Sequence, residues 1–232
     1  MEDSVPILIK RNAATAKSRR RDLFEVAIAY GMVLLVFWTP RPWQIFLWVI
    51  SFGLIATIIF RSFEGLSTMG LCRGNLSCSL WAVAAALAVA AAAVTLAGVL
   101  HTLHLPEPPG TFLRRTCLYA LWATIQQLVL QCFFLSRLLR LLGHATWAAT
   151  AAAVLFAVAH LPSPILMLIT LICGLAACLF FLRYRSLYPL VIAHAVLGVS
   201  IAVTVPTPLD HDMRVGLAYL TYSAKPAQLL QP

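Results

Sequence analysis

Long apolar runs constrain this chain most. Seven of them, at about 24–39, 43–60, 79–100, 115–136, 146–160, 164–183 and 187–205, approach the length of about 17–25 residues that carries a helix across a bilayer. Backbone groups in hydrocarbon must pair within their own helix or within a closed barrel, and these runs lack the period-2 alternation of barrel strands. The expected fold is therefore all-α, a polytopic transmembrane bundle of about seven spans. Composition agrees: of 232 residues 61% are hydrophobic and only 11% charged, with a mean hydropathy of +0.88. So few charges could not cover a soluble domain of this size. The fifth run is short and bounded by Pro162 and Pro164, so its end is expected to sit below the interface.

The net charge of +9 reads as a topology signal, not as a nucleic-acid surface. Lys10, Arg11, Lys17, Arg19, Arg20 and Arg21 precede the first span. With that end in the cytoplasm, Arg61, Arg73, Arg137, Arg140, Arg183 and Arg185 also fall inside. Only Arg41, Arg114, Arg115, Arg214 and Lys225 fall outside. This bias predicts a cytoplasmic N-terminus and an external C-terminus in a bacterial-type plasma membrane. "FWTPRPW" after the first span offers no small-residue cleavage site, so that span is expected to be retained. The expected partners are membrane lipids and a membrane-associated peptide or protein, with no nucleic acid.

Four regions follow: a basic head (1–22), expected to be poorly ordered; N-terminal spans (23–111); a membrane core (112–205); and a tail (206–232). Alanine-rich "WAVAAALAVAAAAVTLAGVL" and "ATWAATAAAVLFAVAH" and the small-residue spacing of "CGLAAC" suit close helix packing. Cys117, Cys132, Cys173 and Cys178 fall in spans, where a thiol behaves as a small apolar group. Cys72 and Cys78 have no accompanying histidines, so neither a metal site nor a cofactor is expected.

Polar residues deep in the spans carry the functional signal. "TIQQLVLQCFFL" holds Gln126, Gln127 and Gln131; "LFAVAH" ends in His160; "LYPLVIAHAVLG" contains His194. An unpartnered amide in an apolar medium costs about 2–7 kcal/mol, and such residues usually face a bundle interior or a wet cavity. Gln127 and Gln131 share a helical face, with Gln126 about 100° away. From the inner end, His194 lies roughly 10 Å deep, Gln127 roughly 15 Å and His160 roughly 20 Å, so convergence needs tilt or a sunken fifth helix.

The order "QQLVLQ", "FAVAH", "HAVLG", each on its own span, resembles the CPBP family of CAAX-protease and bacteriocin-processing intramembrane endopeptidases. That family is marked by Glu-Glu-x-x-x-Arg, Phe-x-x-x-His and His-x-x-x-Asn. The resemblance covers roughly 112–205 and includes "FFLSRL" and "HLPSP". It places Gln126 and Gln127 at the glutamate positions and Gln131 at the arginine position. Phe156, His160 and His194 match, and Gly198 stands where the family has asparagine. The resemblance implies a peptide-bond hydrolase in which the first glutamate is general base and the histidines and asparagine orient water and stabilise the oxyanion.

Here the charged members are absent. Glutamine keeps the shape and one acceptor of glutamate but cannot take a proton near neutral pH. With both glutamates gone, an arginine would lack its counter-charges, so the Gln-Gln-Gln set is chemically coherent. His160 or His194 could serve as base instead, and Cys132 is a weaker candidate nucleophile. "DHD" at 210–212 could fold over the outer mouth, although a solvated tail is the expected state. The readings left open are a working endopeptidase with a histidine base, a protease-like protein binding a peptide or lipid tail without cutting it, and an unrelated transporter or packing protein.

Overall fold

A computed structural model describes residues 16–63, 65–72, 75–105 and 108–222. The order is α1 (Ala16–Trp38), α2 (Trp43–Arg61), short α3 (Leu76–Ser79), α4 (Trp81–Val99) and α5 (Pro109–Gln127). A π-helical stretch (Leu128–Leu135) then leads into α6 (Ser136–Leu142), followed by α7 (Ala145–Val158), α8 (Pro164–Tyr184) and α9 (Tyr188–Thr204). Two single turns, α10 (Thr207–Asp210) and α11 (Leu217–Leu220), end the described chain.

Four continuous helical segments are long and apolar enough to cross a membrane: Trp43–Arg61, Leu76–Val99, Pro109–Leu142 and Pro164–Tyr184. α7 and α9 are shorter apolar helices beside them, and α1 carries Asp22 and Glu25 near the start of its apolar stretch. The chain is thus a multi-pass helical membrane protein. Large side chains such as Trp43, Phe46, Val49 and Phe60 point outward, as expected of lipid-facing surfaces.

Alanine sets the closest packing. Ala148, Ala149, Ala152 and Ala153 on α7 are fully buried, and α7 packs along α8. A Cβ added at Gly174 would lie 3.1 Å from the Phe156 ring and 3.6 Å from the Ala153 Cα, so glycine is what allows that approach. α9 packs between α4 and α5, and α1 lies against α2 and α6. At 14 residues, α7 rises only about 21 Å, short of the roughly 30 Å hydrocarbon core. The fifth helix is thus short, as its sequence suggested.

Three expectations are corrected. The head is helical from Ala16 onward, where Arg19 donates to the Leu141 carbonyl at 3.0 Å; residues 1–15 lie outside the described chain. The fourth span is not one regular α-helix, because eight of its residues adopt the wider π form. The tail as far as Tyr222 is docked on the bundle: Asp210 is 2% exposed, α11 packs on α1, and Gly216 donates to the Leu161 carbonyl at 2.7 Å, while residues 223–232 lie outside the described chain. Gly216 adopts φ +58, and a Cβ there would collide with the Phe37 carbonyl, so only glycine allows this docking. His211 stacks on Tyr219 at 4.0 Å and on Tyr222 at 4.9 Å, closing the cap on itself.

Candidate intramembrane site

The first motif lies where α5 becomes π-helical, with Gln127 the last α-helical residue. π-Helical segments are rare, and they often occur at functional sites. Gln131 is fully buried and donates through Nε2 to Gln127 Oε1 at 3.1 Å. Gln127, 4% exposed, sends its own Nε2 to His194 Nδ1 on α9 at 3.1 Å. An amide nitrogen can only donate, so Nδ1 of His194 accepts and the proton of the neutral ring sits on Nε2. Gln131 thus braces Gln127, and Gln127 sets the tautomer of His194.

His160 has the opposite tautomer. Its Nδ1 lies 2.7 Å from the Phe156 carbonyl, one helical turn back. A carbonyl can only accept, so Nδ1 carries the proton and Nε2 keeps its lone pair. The Phe156 ring contacts both histidines edge-on, its centroid 4.9 Å from that of the His160 ring and 6.0 Å from that of the His194 ring. One neutral imidazole therefore offers a donor and the other an acceptor, both in contact with one aromatic ring.

Both histidines face a cavity of about 1310 Å³. Gln126, Gln127, Phe156 and Gly198 line it too, so six of the seven residues singled out in the sequence share one chamber. Gln131 is the exception and lines a separate small pocket beside Arg137 and Arg140. Cys132 is also there, with its thiol 3.5 Å from the Met69 carbonyl and away from the histidines. Gln126 Oε1 is buried without a hydrogen-bond partner, as is Gln131 Oε1. Among the described residues no three His, Cys, Asp or Glu side chains group as metal ligands.

Sequence reasoning missed three features. Arg137, counted in the sequence only among the charges on the inner side, is 1% exposed: it donates to Glu25 at 2.9 Å and Ser62 at 3.0 Å, and its guanidinium lies 4.1 Å from the Phe133 ring centroid. Arg140 forms a two-bond fork with buried Asp22 at 2.9 and 2.8 Å. Matching three-residue spacings, Asp22–Glu25 and Arg137–Arg140, were the available signal. Second, Asp210 and Asp212 reach the cavity lining from the cap. Third, Tyr119 on α5 lines the cavity with its ring 6.2 Å from that of His194; nothing in its local sequence singles it out.

Fold and site together define a polytopic helical membrane protein with a neutral His/Gln cluster facing an intramembrane cavity. Residues 108–200, which span α5 to α9, match the family described as type II CAAX prenyl endopeptidase Rce1-like. This match agrees with the CPBP resemblance and spans all three motifs. Comparison with curated proteins and with solved structures gave no match.

Proposed function

We propose that this protein is a CPBP-type intramembrane peptide-binding protein that holds an apolar or lipid-bearing peptide segment in its cavity without glutamate-type hydrolysis. The observation that supports it is the Gln131–Gln127–His194 relay. It preserves the hydrogen-bonded shape implied by the family pattern and contains no group at positions 126 or 127 able to accept a proton from water. The apolar lining and the volume of about 1310 Å³ suit a ligand with a long apolar part.

One observation favours a second reading, hydrolysis with His160 as base. Its Nδ1–H is tied to the Phe156 carbonyl, which leaves Nε2 as a lone-pair acceptor. Purified protein in detergent, tested against a library of apolar and lipid-modified peptides with photo-crosslinking and product detection, separates the two. Binding without cleavage is the expected result. Cleavage by the natural protein that disappears in His160→Ala would replace the first reading with the second, and absence of binding to any peptide would remove both.

A further inference from the structure

Gly198 on α9 faces α5, and a Cβ placed there would collide with the hydroxyl and ring of Tyr119. The tyrosine therefore occupies the room that any side chain at 198 would need. Its hydroxyl makes no hydrogen bond to another described residue, although the phenol lines the cavity beside His194. A phenol inserted between two apolar helices is normally anchored through its O–H, and an unanchored one calls for a partner.

The other polar groups at this level are similarly unspent. Gln126 Oε1 is buried and unpaired, His160 offers a lone pair at Nε2, and His194 offers an N–H at Nε2. Tyr119, His194 and the Gln126 amide nitrogen are donors; His160 and Gln126 Oε1 are acceptors. All are neutral. A cluster of neutral donors and acceptors matches a neutral group carrying both an acceptor and a donor, which is the chemistry of a backbone amide. A carboxylate or ammonium would find no counter-charge among these groups.

We infer that Tyr119 is a ligand-orienting residue, whose hydroxyl, standing in the space left open by Gly198, donates to a backbone carbonyl of a bound peptide. This deepens the peptide-binding reading above and rests on it. The glycine and the tyrosine act as one unit: glycine at 198 is what lets a hydroxyl from α5 stand next to His194.

The test uses the full-length protein in detergent micelles and an apolar decapeptide. A matched series replaces each backbone amide of that peptide in turn by a trans-alkene, which keeps shape and loses both the carbonyl and the N–H. For the natural protein, one member of the series should bind about three- to tenfold more weakly than the parent, the range of one neutral hydrogen bond. In Tyr119→Phe, which keeps the ring, that penalty should shrink by the share that belongs to the carbonyl. Gly198→Asn should lose binding by steric collision, and Gly198→Asn combined with Tyr119→Ala should regain it. An alkene penalty of the same size in Tyr119→Phe would overturn the role of Tyr119 while leaving peptide binding intact. Failure of the natural protein to bind any member would overturn peptide binding, and the role of Tyr119 with it.

Discussion

The two ion pairs that join α1 to α6 predict an asymmetry that depends on which partner is buried. Arg137 is 1% exposed and Glu25 20%, whereas Asp22 is fully buried and Arg140 21% exposed. Removing the more accessible partner leaves a charge stranded in the protein; removing the buried partner leaves a charge that can turn toward solvent. Stranding a buried charge costs about 3–5 kcal/mol. Glu25→Gln strands Arg137, which keeps Ser62 and the face of Phe133 as partners, so about 2–3 kcal/mol is expected. Arg140→Ala strands Asp22, for which about 3 kcal/mol is expected. Asp22→Asn should cost only about 1 kcal/mol, because Arg140 is partly solvated and the amide can still accept from it. The double variant Glu25→Gln, Arg137→Met removes both charges and should come close to the natural protein. Reversible unfolding in mixed micelles, titrated with denaturing detergent, measures all four. Equal losses for Asp22→Asn and Arg140→Ala, or a double variant no better than Glu25→Gln, would refute the argument from burial.

Three further outcomes are expected. Gln126→Glu alone should destabilise the bundle by introducing an uncompensated carboxylate, whereas Gln126→Glu, Gln127→Glu and Gln131→Arg together should be better tolerated and give the greater chance of peptide hydrolysis, read by product detection. Burial raises the Asp210 carboxyl above its ordinary value of 3.8, so the docked cap binds its proton more tightly than the undocked chain does. Protection of residues 207–222 from hydrogen exchange should therefore fall as pH rises above that value, and Asp210→Asn should flatten the dependence. In a cysteine-free background, a single cysteine at Leu220 should react with an impermeant thiol reagent from outside the cell and one at Arg20 should not, if the charge bias reports orientation.

The legible and illegible parts of this molecule divide along physical lines. Helices in lipid announce themselves through local composition, so their existence and approximate limits could be read directly, as could the alanine faces of α7 and the small-residue spacing of α8. The polar set was legible for the same reason: an amide or imidazole is conspicuous against hydrocarbon, and Gln126, Gln127, His160 and His194 do share a cavity. What escaped depends on pairing between distant segments. Arg137 resembles any basic residue at a helix end until Glu25 and Ser62 are brought to it. "DHD" resembles a solvated tail until Leu161 and Phe37 receive Gly216. The π form of 128–135 has no compositional signature that separates it from α-helix.

Tyr119 shows most clearly why a motif at matching positions understates a site. Read along the chain, Gly198 is a loss, since a residue with no side chain stands where the family pattern has a hydrogen-bonding one. In three dimensions the same glycine clears space that a phenol from α5 enters beside His194. The loss of charge follows the same logic. With glutamine at 126 and 127, His194 is held by an amide donor and not by a carboxylate, and Gln131 completes the chain without a cation. Such a site can bind a neutral polar group at membrane depth without the several-kcal/mol cost of burying ions. The donors and acceptors of the cluster agree with the peptide-binding role proposed above. Within this His/Gln cluster, His160 with its free Nε2 retains a lone pair from which hydrolysis could begin.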